Sequence, residues 1–285
     1  LLSVRFIPEM GWLEGICNGI FHSISAFCNA GFDLMGKKEE YSSLVAYSGD
    51  LLVNVTIMLL IVIGGIGFVV WDDLQKKKLR VKEYLLHTKI VLTVTAILIF
   101  GGAAVYWLLE RGNLMAGMDG TETVLASLFA SVTARTAGFN TIDVGGMTSS
   151  SKLVTVMLMF IGGSPGSTAG GVKTTTFAVM LVFVWANLRG SHGCNVFKRR
   201  LEEGEIRKAS IVVTINLLLA VIAAAFICAV QAFPMEDVLL EVFSAIGTVG
   251  MSSGITRGMG TASRLILIVL MYCGRTGRMT FALSF

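Results

Sequence analysis

Three short turns constrain what this chain can fold into more than any other feature. Aligned on their glycines, they read Asn29-Ala30-Gly31-Phe32, Thr136-Ala137-Gly138-Phe139 and Thr248-Val249-Gly250-Met251. Each is a polar residue, a small apolar residue, glycine and a large apolar residue. Just upstream lie Ser25-Ala26-Phe27, Val132-Thr133-Ala134 and Ser244-Ala245-Ile246. With 32 glycines in 285 residues, one such turn carries little weight. Three of them, spaced roughly 110 residues apart, are an internal repeat, and a repeat fixes the architecture before any local signal does.

Each turn follows a helix-like stretch: Glu14 to Phe27, Thr121 to Ala134 and Glu236 to Ile246. At about a dozen residues these are too short to cross ~30 Å of hydrocarbon. Each begins with acidic residues, namely Glu14, Glu122, or Glu236 with Asp237. Carboxylates suit the positive end of a helix, so the negative end of each half-helix points at its turn.

The setting is a membrane. Mean hydropathy is +0.75. Hydrophobic residues make up 54% of the chain and charged residues 15%, where a soluble domain carries about 25% charged. Apolar runs over Leu51 to Trp71, Ile90 to Leu109 and Ser210 to Phe233 are each long enough to span. Leu153 to Ile161 and Thr176 to Leu188 are two apolar halves around Gly162-Gly163-Ser164-Pro165-Gly166-Ser167-Thr168-Ala169-Gly170-Gly171. Leu265 to Cys273 begins a last segment, interrupted by Gly274-Arg275-Thr276-Gly277-Arg278 and resumed at Met279. The fold class expected is an all-α polytopic membrane protein, built of repeated helix–pore-loop–helix units around a central pore. Non-helical backbone at that depth survives only where it lines a watery cavity or is buried in protein. The chain opens without methionine or a signal peptide, which reads as a truncated N-terminus.

Charge gives the orientation. Lys76, Lys77, Lys78, Arg80, Lys82 and Lys89 lie in one loop, and Arg189, Lys198, Arg199, Arg200, Arg207 and Lys208 in another. The opposite loops are poorer, with Lys37 and Lys38 in one and Arg111 alone in another. Positive residues stay cytoplasmic, which puts the three turns on the outer side. It also explains the net charge of +4 without nucleic acid. Cys17, Cys28, Cys194, Cys228 and Cys273 form no metal-like pair and read as small apolar fillers; His22, His87 and His192 lack ligand spacing.

Glycines 31, 138 and 250 can adopt backbone angles closed to other residues, so successive carbonyls can face one axis. Such carbonyls, with half-helix C-termini, replace the hydration shell of a monovalent cation. Asp33 is the one carboxylate near the aligned turns, which fits neither a divalent-cation ring nor an anion pathway. The expected filter is Asn29, Ala30, Gly31, Thr136, Ala137, Gly138, Thr248, Val249 and Gly250.

The turns Thr136-Ala-Gly-Phe-Asn140 and Thr248-Val-Gly250, with the run from Gly162 to Lys173, resemble the Ktr/Trk superfamily of potassium transporters, in particular its KtrB-type membrane subunits. The resemblance covers nearly the whole chain. It implies four such repeats around one pore, of which this chain carries repeats two to four. Residues 1–78 would end the second repeat, 79–200 form the third with a broken inner helix, and 201–285 form the fourth. The first repeat is then absent from this chain.

The resemblance makes Gly162 to Gly171 an intramembrane gating loop, with Arg275 of the last helix beneath the filter; snorkelling to the cytoplasmic face is the alternative for Arg275. Arg278 stands where relatives carry proline. Arg135 matches the family's threonine–arginine–threonine run without an assigned partner, and Lys173 is expected to face water or an acid. A nucleotide P-loop is a poorer reading of Gly166 to Thr174, because Val172 separates glycine from lysine and no buried strand precedes it. The resemblance further implies potassium as substrate, sodium as activator, no covalent cofactor and no enzyme activity. It places a homodimer in the bacterial cytoplasmic membrane on a cytosolic nucleotide-binding regulatory ring, with Gln75 to Lys89 and Arg189 to Lys208 as candidate contacts and lipid around it. Two alternatives remain. One is the potassium-translocating subunit of an ATP-driven pump. The other is a membrane nucleotide-using enzyme, which would need carboxylate or histidine clusters near the membrane face that the sequence does not show.

Overall fold

The repeat seen in the sequence is a repeat in three dimensions. In the computed structural model, residues 1–37, 42–78, 80–190, 195–196, 199–200 and 203–275 are described. Three half-helices form where expected: α2 (Trp12–Phe27), α6 (Gly120–Thr133) and α10 (Met235–Gly247). Each follows a helix, namely α1 (Leu2–Met10), α5 (Leu86–Glu110) or α9 (Glu203–Val230). Each leads through its turn to a further helix: α3 (Leu51–Gly65), α7 (Ser149–Phe160) or α11 (Thr261–Arg275). The first two continue past a break into α4 (Phe68–Lys77) and α8 (Thr174–Leu188). The order helix, half-helix, turn, helix thus occurs three times.

Among the described residues, α5 and α9 are long and apolar enough to cross a membrane unbroken, as expected for these two segments. The run from Leu51 to Trp71 is not one straight helix. The chain bends by 97° between α3 and α4. Gly67 takes φ 92 at the elbow. Two carbonyls that would continue the helical ladder are engaged elsewhere: Gly65 O accepts from Ser164 N at 3.0 Å and Gly64 O from Thr168 N at 3.3 Å. The helix ends there because another segment takes its hydrogen bonds. The last segment does run as helix through Gly274 and Arg275. The expected break at Thr276, Gly277 and Arg278 and the resumption at Met279 lie outside the described residues, as do Lys38, His192, Cys194 and Lys198. Apart from helices, the basic segment carries a two-residue hairpin, β1 (Asn195–Val196) with β2 (Arg199–Arg200).

Local chemistry sets the helix starts. Asp50 caps α3 by accepting from Val53 N at 3.0 Å, and Thr148 caps α7 by accepting from Ser151 N. Asp119 holds the N-cap position of α6, and Glu236 and Asp237 occupy the first turn of α10. The half-helices then differ in burial. From Leu125 to Val132 nearly every residue of α6 is buried, as is every residue of α10 from Leu240 to Gly247. By contrast, α2 leaves Trp12, Leu13, Ile20 and Ile24 exposed.

Buried polar contacts fasten the repeats near the half-helix N-termini. Lys152 Nζ of α7 lies 2.8 Å from Asp237 of α10, with both side chains largely covered. Glu110, fully buried, accepts from Thr148 N at 2.9 Å and from its hydroxyl at 2.8 Å. Such pairs fix position more than they add stability, because removing one partner leaves a buried charge.

Candidate functional site

The three turns come together, and they share an unusual backbone. The polar residue and the glycine of each adopt positive φ: Asn29 (50) and Gly31 (71), Thr136 (77) and Gly138 (91), Thr248 (54) and Gly250 (90). For glycine this costs little. For β-branched Thr136 and Thr248 it is strained, by about 1–3 kcal/mol each, and strain of this kind collects at functional sites. The residue between, Ala30, Ala137 or Val249, stays at negative φ. Alternating handedness turns successive carbonyls toward one side.

Where those carbonyls point is visible from what a side chain on each glycine would strike. A methyl on Gly31 would lie 2.2 Å from Ala137 O and 2.9 Å from the Cα of Gly138. A methyl on Gly138 would lie 2.3 Å from Val249 O and 3.4 Å from the Cα of Gly31. The turns are therefore neighbours in the order 31, 138, 250, each glycine receiving a carbonyl of the next. A methyl on Gly250 would meet nothing within 4 Å among the described residues.

Each half-helix also holds the strand leaving its turn. Ser25 Oγ donates to Phe32 O at 2.8 Å, and Thr133 Oγ1 to Phe139 O at 2.6 Å. Gly250 N donates to Ser244 Oγ at 3.2 Å. His22, fully buried, accepts from Leu34 N on Nε2 (3.3 Å) while Nδ1 lies 2.7 Å from Asn18 O, an arrangement of the neutral Nδ1–H tautomer. Buried Glu241 accepts from the hydroxyls of Ser252 and Thr256 and from Ser253 N. The upstream tripeptides carry Ser25, Thr133 and Ser244, so part of this bracing is readable in the repeat. His22 and Glu241 are not, because their partners lie beyond the turn.

The Gly162 to Gly171 loop lies between α7 and α8, against the turns. Thr168 is its hub. Its Oγ1 reaches Phe27 O at 3.0 Å, at the end of α2, and Gly64 O at 3.1 Å. Its carbonyl accepts from Arg275 Nη1 at 2.9 Å. The exposed Arg275 guanidinium is thus held on the loop. On the far side, a methyl on Gly170 would lie 1.8 Å from Thr248 Oγ1. Gly166 O accepts from Phe68 N at 3.0 Å, which joins the loop to the elbow. Within the loop, Gly162 N donates to Val172 O (2.8 Å), Ser167 Oγ to Ser164 O (2.6 Å), and Ser164 and Thr174 hydroxyls meet at 3.2 Å. Half-buried Lys173 donates from its ammonium to Ala169 O at 2.6 Å. Pro165 lies at the elbow, its carbonyl 2.6 Å from where a Gly67 methyl would be. Gly163 and Arg135 meet at a small cavity behind the turns.

These contacts set three turns side by side at the C-terminal ends of half-helices, with a glycine-rich loop packed against them. The TrkH cation transport protein family matches residues 2–285. The chain belongs to that family. It is 40% identical over 99% of its length to the potassium/sodium uptake protein NtpJ of Enterococcus hirae, covering 62% of that protein. It is 39% identical over its whole length to the Ktr system potassium uptake protein B of Bacillus subtilis, covering 63% of it, and 36% identical over 99% to the protein B of Vibrio alginolyticus, covering 61%. The chain thus spans about three fifths of the length of these relatives. The crystal structure of the potassium transporter TrkH from Vibrio parahaemolyticus superposes with a TM-score of 0.73 over 96% of this chain and 59% of that one, at 17% identity. This likeness bears on the fold, an all-helical membrane transporter architecture.

Proposed function

We propose that the chain forms three walls of a potassium-uptake pathway in a bacterial cytoplasmic membrane, with Asn29 to Gly31, Thr136 to Gly138 and Thr248 to Gly250 as the filter. The observation that carries this is the stacking of the turns, each glycine against the next turn's carbonyl. The names of the 36–40% identical relatives supply the ion. A fourth wall of the same kind packs against Gly250, completing the ring where that glycine meets open space. Residues 1–78, 79–200 and 201–285 are then successive repeats. The loop from Gly162 to Gly171 is the gate. Its hydrogen bonds to α2, the elbow and Arg275 hold it across the pathway. Arg275 adds a positive charge on the permeation side, which opposes a leaving cation until the loop moves.

The basic segments face the cytoplasm in this reading. Gln75 to Lys89 and Arg189 to Lys208 then meet a nucleotide-binding regulatory ring, the working unit is a homodimer, and sodium acts as an activator.

The test is uptake of Rb⁺ by the full-length gene product in cells lacking their own potassium uptake. Growth at low potassium is rescued by the parent, and Gly138→Ser shifts selectivity toward Na⁺ or abolishes uptake. Unaltered potassium selectivity in Gly138→Ser removes the filter assignment. Shortening Gly162 to Gly171 raises flux if the loop is a gate; lower flux at normal expression makes it structural.

A further inference from the structure

We propose that Arg135 is a specificity-determining residue, a fixed charge that weakens the hold of the filter on its cation and so sets the affinity of uptake. This rests on reading the turns as a cation filter. Arg135 follows the end of α6 and immediately precedes Thr136. It is only 8% exposed. Among the described residues, its guanidinium donates from Nη2 to Thr95 Oγ1 of α5 over a long 3.5 Å. Its Nε is buried with no partner. The side chain lines a cavity of about 10 Å³ with Asn29, Ile61, Gly65, Thr95 and Gly163, at most enough for a single water. None of these neighbours carries a counter-charge.

A guanidinium stays protonated in any protein environment, and burying it without an acid is costly. What offsets that cost is the C-terminal end of α6, where the helix carries about half a negative charge. The same helix end faces the third turn. Two cations therefore draw on one dipole, the fixed arginine and the passing ion. In the other repeats the aligned positions are Cys28 and Gly247, which carry no charge, so the negative ends of α2 and α10 serve the ion alone. The third wall binds the ion less tightly than the others, and the cavity couples this weak wall to Gly163 of the loop. A filter that must release its ion to the inside gains from one wall of lower affinity.

The experiment measures the KM and maximal rate of Rb⁺ uptake by the full-length transporter carrying Arg135→Met, Arg135→Gln or Arg135→Lys. The neutral variants lower KM by about tenfold, the scale of one unit charge acting across several ångströms of protein, and slow the maximal rate as release becomes limiting. Arg135→Lys keeps the parental KM, since it retains charge and loses only the fork. If lysine and methionine variants behave alike, or KM rises in all three, the side chain acts through shape and the proposal is overturned. Absence of both neutral variants from the membrane, with Arg135→Lys transporting normally, assigns the charge to folding and also overturns it. Gly138→Ser in the same assay separates the two levels. If it leaves selectivity unchanged, the filter reading fails; if it alters selectivity while Arg135→Met leaves KM unchanged, only the present inference fails.

Discussion

Gly138 and Gly250 occupy equivalent places in the repeat, have almost the same φ (91 and 90), and differ in everything around them. Gly138 is wedged between the turns of Gly31 and Gly250, with no room for a methyl on its α-carbon. Gly250 is exposed and touches nothing there. The two seams between repeats are closed by different chemistry. Between the second and third repeats, Leu44 N donates to Asn140 O at 2.8 Å and Asn140 N to Ser43 Oγ at 3.2 Å. Between the third and fourth, Phe160 and Phe243 stack edge to face at 5.9 Å and Lys152 pairs with Asp237. The difference teaches that each turn is specified twice: its backbone by its own repeat, its position by the neighbour.

The sharpest way to break the comparison is Gly138→Ala in the full-length protein. Positive φ alone costs a non-glycine residue about 1–3 kcal/mol, and overlap with Val249 O adds to it. Uptake of Rb⁺ should fall by about tenfold or more, read as initial rate at matched expression. Gly250→Ala sharpens it. With open space around it, alanine there meets only the backbone strain and the loss is milder, whereas a loss as deep as that of Gly138→Ala shows a fourth turn packed against Gly250. The ratio of the two rates is the measurement.

Next in size is Gly64→Ala at the elbow. Its methyl would lie 1.9 Å from Phe27 O, a backbone atom that cannot swing aside. Overpacking at such a site costs about 1–3 kcal/mol, so the thermal unfolding temperature of the detergent-solubilised protein should fall by several degrees. Gly101, with nothing within 4 Å, is the control, and its alanine variant should unfold as the parent does.

These sites divide what could be read from the residues. The half-helices, the turns and the broken α7–α8 pair were legible, because each leaves a local mark: acid at the start, glycine at the turn, a run of glycine and serine in an apolar segment. The elbow was not, although Gly64, Gly65 and Gly67 stand in the sequence. Glycine within an apolar run is ordinary in a spanning helix, and what bends this one is the loop from Gly162 to Gly171 taking its carbonyls from over a hundred residues away. Thr168 was one polar residue among several in that loop; only the fold brings it to Phe27, Gly64 and Arg275 at once. The positive φ of Thr136 and Thr248 was hidden for the opposite reason, since β-branched residues argue against it and tertiary packing overrides them.

The smallest effect tests how the elbow is anchored rather than the turns themselves. Asp73 of α4 is buried. Its carboxylate accepts from Leu85 N at 2.8 Å, ahead of α5, and pairs with Lys77 at 2.8 Å. Burial alone would raise its pKa, but the ammonium of Lys77 and the Leu85 N–H outweigh that and hold it down from 3.8 to about 2. A carboxyl depressed in the fold stabilises it above the unfolded value and loses that contribution as pH falls toward the folded one. The parent should therefore show an Asp73-dependent loss of thermal stability between about pH 4 and pH 2, and none between pH 6 and pH 8. Asp73→Asn should be less stable than the parent at neutral pH by a small, constant margin that closes in the acid range. A margin that persists at pH 2 would mean the aspartate acts through shape, and the elbow would then owe its angle to the loop from Gly162 to Gly171 alone.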